Sequence, residues 1–295
     1  MPGDVLMFPG QGAQYPGMGD ELFDRYPQLC AQADAAVGYS LTELCRSDPD
    51  GRLQQTAHTQ PAIYLVSCLA YLAHAERAGG AVTGPLVGHS VGLYAALFAA
   101  EVLDLIGGLE IVARRGELMQ AVEGGGMLAV LGAGATRVDR DLARWEFFDV
   151  EVANYNSPGQ VVLSGPAERL AELTPVLEGA GHRCVPLAVS GAFHSRHMEP
   201  CRREFARFLL GREFGEPVRP VVSSTTGQVV VAARLLEEMV FQLVKPVRWW
   251  QTVEHLARTG ATTFHEVGPG TVLTDLTRKI LGGAPPRTEQ LEMTA

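Results

Sequence analysis

Ser90 stands in the pentapeptide Gly88-His-Ser-Val-Gly92, directly after the apolar stretch Pro85–Val87 and ahead of a helical run. A G-x-S-x-G sequence between a strand and a helix can hold a nucleophile on a sharp turn. The glycines let backbones crowd beneath it, the strand end exposes the hydroxyl, and the first helical amides stay free for a developing oxyanion. A plain strand–helix turn would use the same residue types.

A serine nucleophile needs a base. The eight histidines are at 58, 74, 89, 182, 194, 197, 255 and 265. His89 adjoins Ser90, but neighbours in a tight turn point apart, and His74 and His255 fall on helical faces. His194 sits in the loop SGAFHSRHM (190–198), just ahead of a helix, which suits a base; a solvated loop histidine is the alternative. A metal reading of His194, His197 and Glu199 lacks a second ligand cluster. An ordinary hydrolase triad runs Ser, acid, His, with the histidine near the C-terminus. Here a long stretch follows His194, and no acid between Ser90 and His194 occupies a clear strand-end loop. The order favours a Ser90–His194 dyad whose imidazole is held by a main-chain carbonyl.

The elements that must position these groups are readable from periodicity. Val5–Phe8 forms a short strand ending in a PGQG turn. Helical periodicity covers about Gly19–Ala36, residues 60–77, Ser90–Ala100 and Leu103–Val122. After Gly124–Gly126 the texture changes to four short strands and two helices, a compact α+β insert of ferredoxin-like character. Long helices and apolar strands then resume. The expected fold class is α/β: a hydrolase-like core with a parallel sheet, made of residues 1–125 and 191–295, plus a small domain at 126–190. The last dozen residues, APPRTEQLEMTA, read as a frayed tail.

Composition bounds the rest. Of 295 residues, 46% are hydrophobic and 19% charged, enough for a sizeable core. A net charge of −9 disfavours nucleic acid and anionic membranes as partners. The first basic residue is Arg25, and Glu101 and Asp104 interrupt the longest apolar stretch, so no leader and no membrane span is expected. Five scattered cysteines at 30, 45, 68, 184 and 201 suit reduced thiols in a cytoplasm.

Eight stretches then carry a resemblance: FPGQGAQ (8–14), TQPA (59–62), GHSVG (88–92), RRGELMQ (114–120), NYNSPGQVVLSG (154–165), GAFHS (191–195), PVRW (246–249) and EVGPGTVLTDL (266–276). In these and in their order the chain resembles the malonyl-CoA:acyl carrier protein transacylase family, particularly the freestanding acyltransferases of polyketide assembly. The resemblance implies that Ser90 accepts an acyl group from coenzyme A and that His194 serves as base and then acid. It implies an oxyanion hole from the amides of Gln11 and Val91, and Arg115 as partner of a malonyl carboxylate. Gln60, Met119 and Phe193 would line the pocket, and the carbonyl of Arg248 would orient His194. The partners implied are malonyl-CoA and an acyl carrier protein, with no metal or redox cofactor, for a monomer. Leu93 stands where the family often has Glu. Read from its residues alone, Arg115 is a helix-surface arginine and Asn156 a turn former. An acyl hydrolase clearing carrier proteins, or a carrier-binding scaffold without catalysis, are the alternatives. Five arginines against two glutamates in 196–212 mark a candidate carrier-docking face.

Overall fold

The computed structural model describes residues 3–80, 83–132, 135–282 and 286–291. A parallel sheet is built from β1 (Gly3–Phe8), β2 (Leu86–Gly88), β7 (Val221–Val222), β8 (Ala261–Glu266) and β9 (Arg287–Gln290), in the order β7-β2-β1-β8-β9. β1 is buried on both faces. Leu6 and Phe8 join the main core, and Val5 and Met7 join a second cluster on the other side. A parallel strand covered on both faces reads as a continuous apolar run, as GDVLMF does.

The periodic stretch at 19–36 is two helices, α1 (Asp20–Arg25) and α2 (Pro27–Val37), where one was expected. Tyr26 leaves helical geometry with ψ at 51°, because the ring of Pro27 crowds the residue before it. α3 (Leu41–Arg46) is capped by Ser40 Oγ, which accepts from the Glu43 amide at 3.1 Å. α4 (Thr56–Arg77) starts earlier than its apolar periodicity indicates.

α5 (Gly92–Ala99) follows the serine turn, and α6 (Leu105–Gln120) starts on Asp104, whose carboxylate accepts from the amides of Ile106 and Gly107. α4 and α6 pack without room for side chains at two points. A Cβ on Gly108 would lie 2.0 Å from the Tyr64 hydroxyl oxygen, and one on Gly116 would lie 2.9 Å from the Thr56 carbonyl oxygen. That close seam brings Gln60 of α4 against Arg115 and Met119 of α6.

The second sheet is antiparallel. β3 (Gly125–Leu131), α7 (Ala135–Arg144), β4 (Glu151–Ser157), β5 (Gln160–Pro166), α8 (Ala167–Gly179) and β6 (Arg183–Pro186) give the strand order β4-β5-β3-β6. This βαββαβ arrangement is ferredoxin-like, and it buries its own cluster around Leu128, Val130, Leu163, Leu173 and Leu177. The chain returns through α9 (Glu199–Leu209), α10 (Leu235–Phe241), α11 (Trp249–Arg258) and α12 (Val272–Leu281). The protein is therefore an α/β hydrolase-like core carrying a ferredoxin-like α+β domain.

The expected frayed tail contains a strand. Arg287–Gln290 pair in parallel with Thr263–Glu266 of β8. RTEQ has no apolar residue, so periodicity carries no signal there; main-chain pairing forms the strand, and Gln290 Nε2 donates to the Gly268 carbonyl at 3.0 Å. The remaining tail positions 284–285 and 292–295 lie outside the described residues.

Candidate active site

β2 ends at Gly88 and α5 begins at Gly92, so the chain reverses within three residues. A Cβ on Gly88 would lie 2.1 Å from the Gly92 carbonyl carbon, and one on Gly92 would lie 2.1 Å from the Phe8 carbonyl oxygen. Both positions therefore require glycine. Ser90 takes φ of 53°, in the left-handed region, which costs a non-glycine residue about 1–3 kcal/mol when the surrounding structure enforces it. His194 is strained in the same way, with φ of 59°. Leu93 is buried in the main core.

Ser90 Oγ lies 2.8 Å from His194 Nε2. The other imidazole nitrogen, Nδ1, lies 2.7 Å from the main-chain oxygen of Gln242. A carbonyl only accepts, so Nδ1 carries the proton and Nε2 presents its lone pair to the serine. Gln242 thus takes the role expected of Arg248. Arg248 caps α11, and its carbonyl already accepts from the amide and the hydroxyl of Thr252 at 2.9 and 2.8 Å. Gln242 opens the short 3-10 turn Gln242–Val244 after α10, where its carbonyl oxygen is within reach of His194 Nδ1. Burial, and secondarily the charge of Arg115, push His194 down to about 3, so the ring is neutral at physiological pH.

Arg115 is 0% exposed. Its Nη1 donates to Gln60 Oε1 at 2.6 Å, and its Nη2 donates to Gln242 Oε1 at 3.0 Å and to Ser90 Oγ at 3.2 Å. Its guanidinium also stands over the Tyr94 ring, and its Nε–H has no acceptor. Among the described residues no carboxylate pairs with it. A buried cation held only by neutral acceptors is a costly arrangement that an anionic ligand would relieve.

A cavity of about 400 Å³ opens above this group. Ser90, His194, Gln11, Val91, Gln60, Met119 and Phe193 line it, so seven of the residues singled out in the sequence meet in one place. Arg115 lies beneath its floor, and Arg248 lines a different cavity. The amides of Gln11, in the turn after β1, and of Val91, ahead of α5, donate to no acceptor among the described residues. The small domain roofs the cavity through Met127 and Ala129 of β3, Asn154 and Asn156 of β4 and Val162 of β5.

Sequence reasoning missed two contributors. Gln242 carried one signal, a buried amide inside the apolar run MVFQLV. Lys279 of α12 lines the cavity mouth, and among the described residues it forms no ion pair. The five arginines of 196–212 all meet carboxylates: Arg196 with Glu151, Arg202 and Arg203 with Glu199, Arg207 with Glu204, and Arg212 with Glu110.

Residues 5–287 match the family model described as an acyl transferase domain. The chain is 45% identical over 278 residues to the polyketide biosynthesis protein ThaF of Burkholderia thailandensis, covering 94% of this chain and 24% of that protein. It is 40% identical over 280 residues to the polyketide biosynthesis malonyl CoA-acyl carrier protein transacylase PksC of Bacillus subtilis, covering 94% of this chain and 96% of PksC. Among solved structures, the complex of the acyl carrier protein AntF of a type II polyketide synthase with its malonyl-transacylase superposes with a TM-score of 0.90. It shares 34% identity and covers 99% of this chain and 96% of that one.

Proposed function

The chain belongs to the acyl transferase family, and on that premise we propose that it moves a malonyl group from malonyl-CoA, through an ester on Ser90, to the phosphopantetheine thiol of an acyl carrier protein in polyketide or fatty acid biosynthesis. The observation that carries this reading is Arg115. A fully buried guanidinium lies 3.2 Å from the nucleophile with a free Nε–H and no counter-ion among the described residues. The free carboxylate of a malonyl thioester supplies that charge.

The chemistry follows from the hydrogen bonds. Ser90 Oγ gives its proton to His194 Nε2 as it attacks the thioester carbonyl carbon. The carbonyl π electrons move to oxygen, where the amides of Gln11 and Val91 receive them. Collapse breaks the carbon–sulfur bond, and the departing thiolate takes the proton back from His194. A carrier thiol then repeats the sequence in reverse, with Ser90 as leaving group. The Gln242 carbonyl keeps Nδ1–H fixed throughout, so Nε2 is the nitrogen that exchanges protons. Because the charge of Arg115 contributes to the depression of His194, a malonyl carboxylate on Arg115 strengthens the base when substrate arrives.

No cofactor is needed beyond the coenzyme A thioester, itself a substrate. The division we infer is residues 1–125 and 191–295 for the catalytic domain and 126–190 for the small domain, whose first strand starts one residue earlier, at Gly125. The reading carries with it a monomer acting in the cytoplasm. Intact-mass analysis after mixing the protein with a panel of acyl-CoAs tests the reading. A malonyl mass gain on Ser90, discharged by a phosphopantetheinylated carrier protein, is expected. Discharge at the same rate by water alone would mark a hydrolase, and a gain that persists in Ser90→Ala would place the nucleophile elsewhere.

A further inference from the structure

One short stretch of the small domain touches the flanks of all three residues that build the proton path. The Asp149 carbonyl oxygen lies 2.8 Å from His197 Nε2, and the Glu151 carboxylate accepts from the Arg196 amide at 2.8 Å. Both donors lie within three residues of His194. In the middle of β4, the Ala153 carbonyl accepts from the Val247 amide, and the Tyr155 amide donates to the Val247 carbonyl, each at 2.8 Å. Val247 follows Gln242 by one short turn. At the end of β4, Asn156 Oδ1 lies 3.0 Å from Nε2 of His89, the residue before Ser90.

The last of these contacts is the only one of the set that reaches the nucleophile turn. Both glycines of that turn are in backbone contact, and a Cβ on Gly10 would sit 2.5 Å from the His89 carbonyl oxygen, so the turn is boxed in by main chain. Its one side-chain tether to the small sheet, among the described residues, is the His89 ring. That ring is half-buried, desolvation disfavours its charged form, and its centroid stands 5.6 Å from that of the Trp249 ring. With Asn156 Oδ1 accepting, His89 Nε2 is the protonated nitrogen.

We propose that Asn156 is a positioning residue for Ser90, acting through His89, so that the 2.8 Å contact between Ser90 and His194 depends on β4 being seated against the core. The inference rests on Ser90 being the acylated nucleophile. β4 then registers three separate segments of the large domain at once. The first carries the base, the second its orienting carbonyl and the third the nucleophile. An error of about 1 Å in one of them costs roughly 100-fold in rate.

The test measures Ser90 acylation by malonyl-CoA in Asn156→Ala and Asn156→Asp, with melting temperatures and with the wild-type protein as control. Asn156→Ala removes the acceptor for His89. Its maximal acylation rate should fall roughly 10- to 100-fold with melting temperature nearly unchanged. Asn156→Asp keeps an oxygen for the His89 Nε2–H and should recover most of that rate. An Asn156→Ala protein at the wild-type rate overturns the proposal. So does an Asn156→Asp protein as slow as Asn156→Ala, or a loss of rate that follows a matching loss of melting temperature in both variants. A wild-type protein that does not acylate Ser90 would instead overturn the proposed function.

Discussion

Gln242 holds both His194 and Arg115: its main-chain oxygen lies 2.7 Å from His194 Nδ1, and its side-chain oxygen lies 3.0 Å from Arg115 Nη2. One residue therefore couples the orientation of the base to the placement of the cation that would receive a carboxylate. The two bonds are separable, because substitution changes the side chain and leaves the main-chain carbonyl.

Gln242→Glu should erase malonyl preference while sparing the dyad. The introduced carboxylate would pair with Arg115 and fill the position that a malonyl group needs. Hydrogen bonds to charged groups are worth about 1.5–3 kcal/mol, so the ratio of malonyl to acetyl loading of Ser90 should fall at least about tenfold. Competitive loading from equal malonyl-CoA and acetyl-CoA, read by intact mass, gives that ratio. An unchanged ratio would separate Gln242 from acyl choice.

The pH dependence should lack the usual histidine limb. With His194 held down to about 3, the base stays unprotonated through the range in which an ordinary histidine, near 6.5, titrates. Single-turnover acylation should stay flat from pH 8 to about 5, and a midpoint near 6.5 would contradict the geometry. Stability carries the same sign. Between about 6.5 and 3 the unfolded chain binds a proton at His194 that the folded one does not, so folding stability is lost as pH falls through that window. In Arg115→Ala the second cause of the depression is gone, and the acid limb should move upward.

The parts of the site that depend on side-chain identity were legible in the sequence. Ser90 between two glycines and His194 in its loop were candidates by residue type and spacing, each with a bland alternative that the 2.8 Å contact between them removes. The carbonyl that orients His194 was not, since every residue has one; the PVRW match pointed to Arg248, while the carbonyl within 2.7 Å of His194 Nδ1 is that of Gln242. Arg115 read alone as a surface residue because helical periodicity places two arginines together at 114 and 115, and only the close packing of α4 on α6 decides which is buried. In the fold, Pro27 held a signal for the break between α1 and α2 that the periodicity reading passed over, whereas polar β9 leaves no trace in hydrophobic patterning.

The arginines of α9 should matter little to carrier binding. All five in 196–212 are engaged by carboxylates, two of which, Glu110 and Glu151, arrive from distant parts of the chain. Exposed pairs of this kind also leave little free field. Lys279, which lines the cavity, should be the better anchor for the phosphate of coenzyme A or of phosphopantetheine. Lys279→Glu should raise KM for malonyl-CoA several-fold and flatten its dependence on salt, and Arg202→Glu with Arg203→Glu should change neither. Steady-state kinetics at two ionic strengths would check both, and the reverse pattern would return the dock to α9.

The most direct measurement compares malonyl and acetyl acylation of Ser90 in the wild-type protein and in Arg115→Ala. Losing one partner of a buried charge pair costs about 2–5 kcal/mol, so malonylation should drop roughly 30- to several-thousand-fold while acetylation holds or rises. Arg115→Lys should not restore the rate, since a point charge does not reproduce two parallel N–H donors. Equal losses for both donors would contradict the account, for they would make Arg115 a support of the fold and not the reader of the malonyl carboxylate.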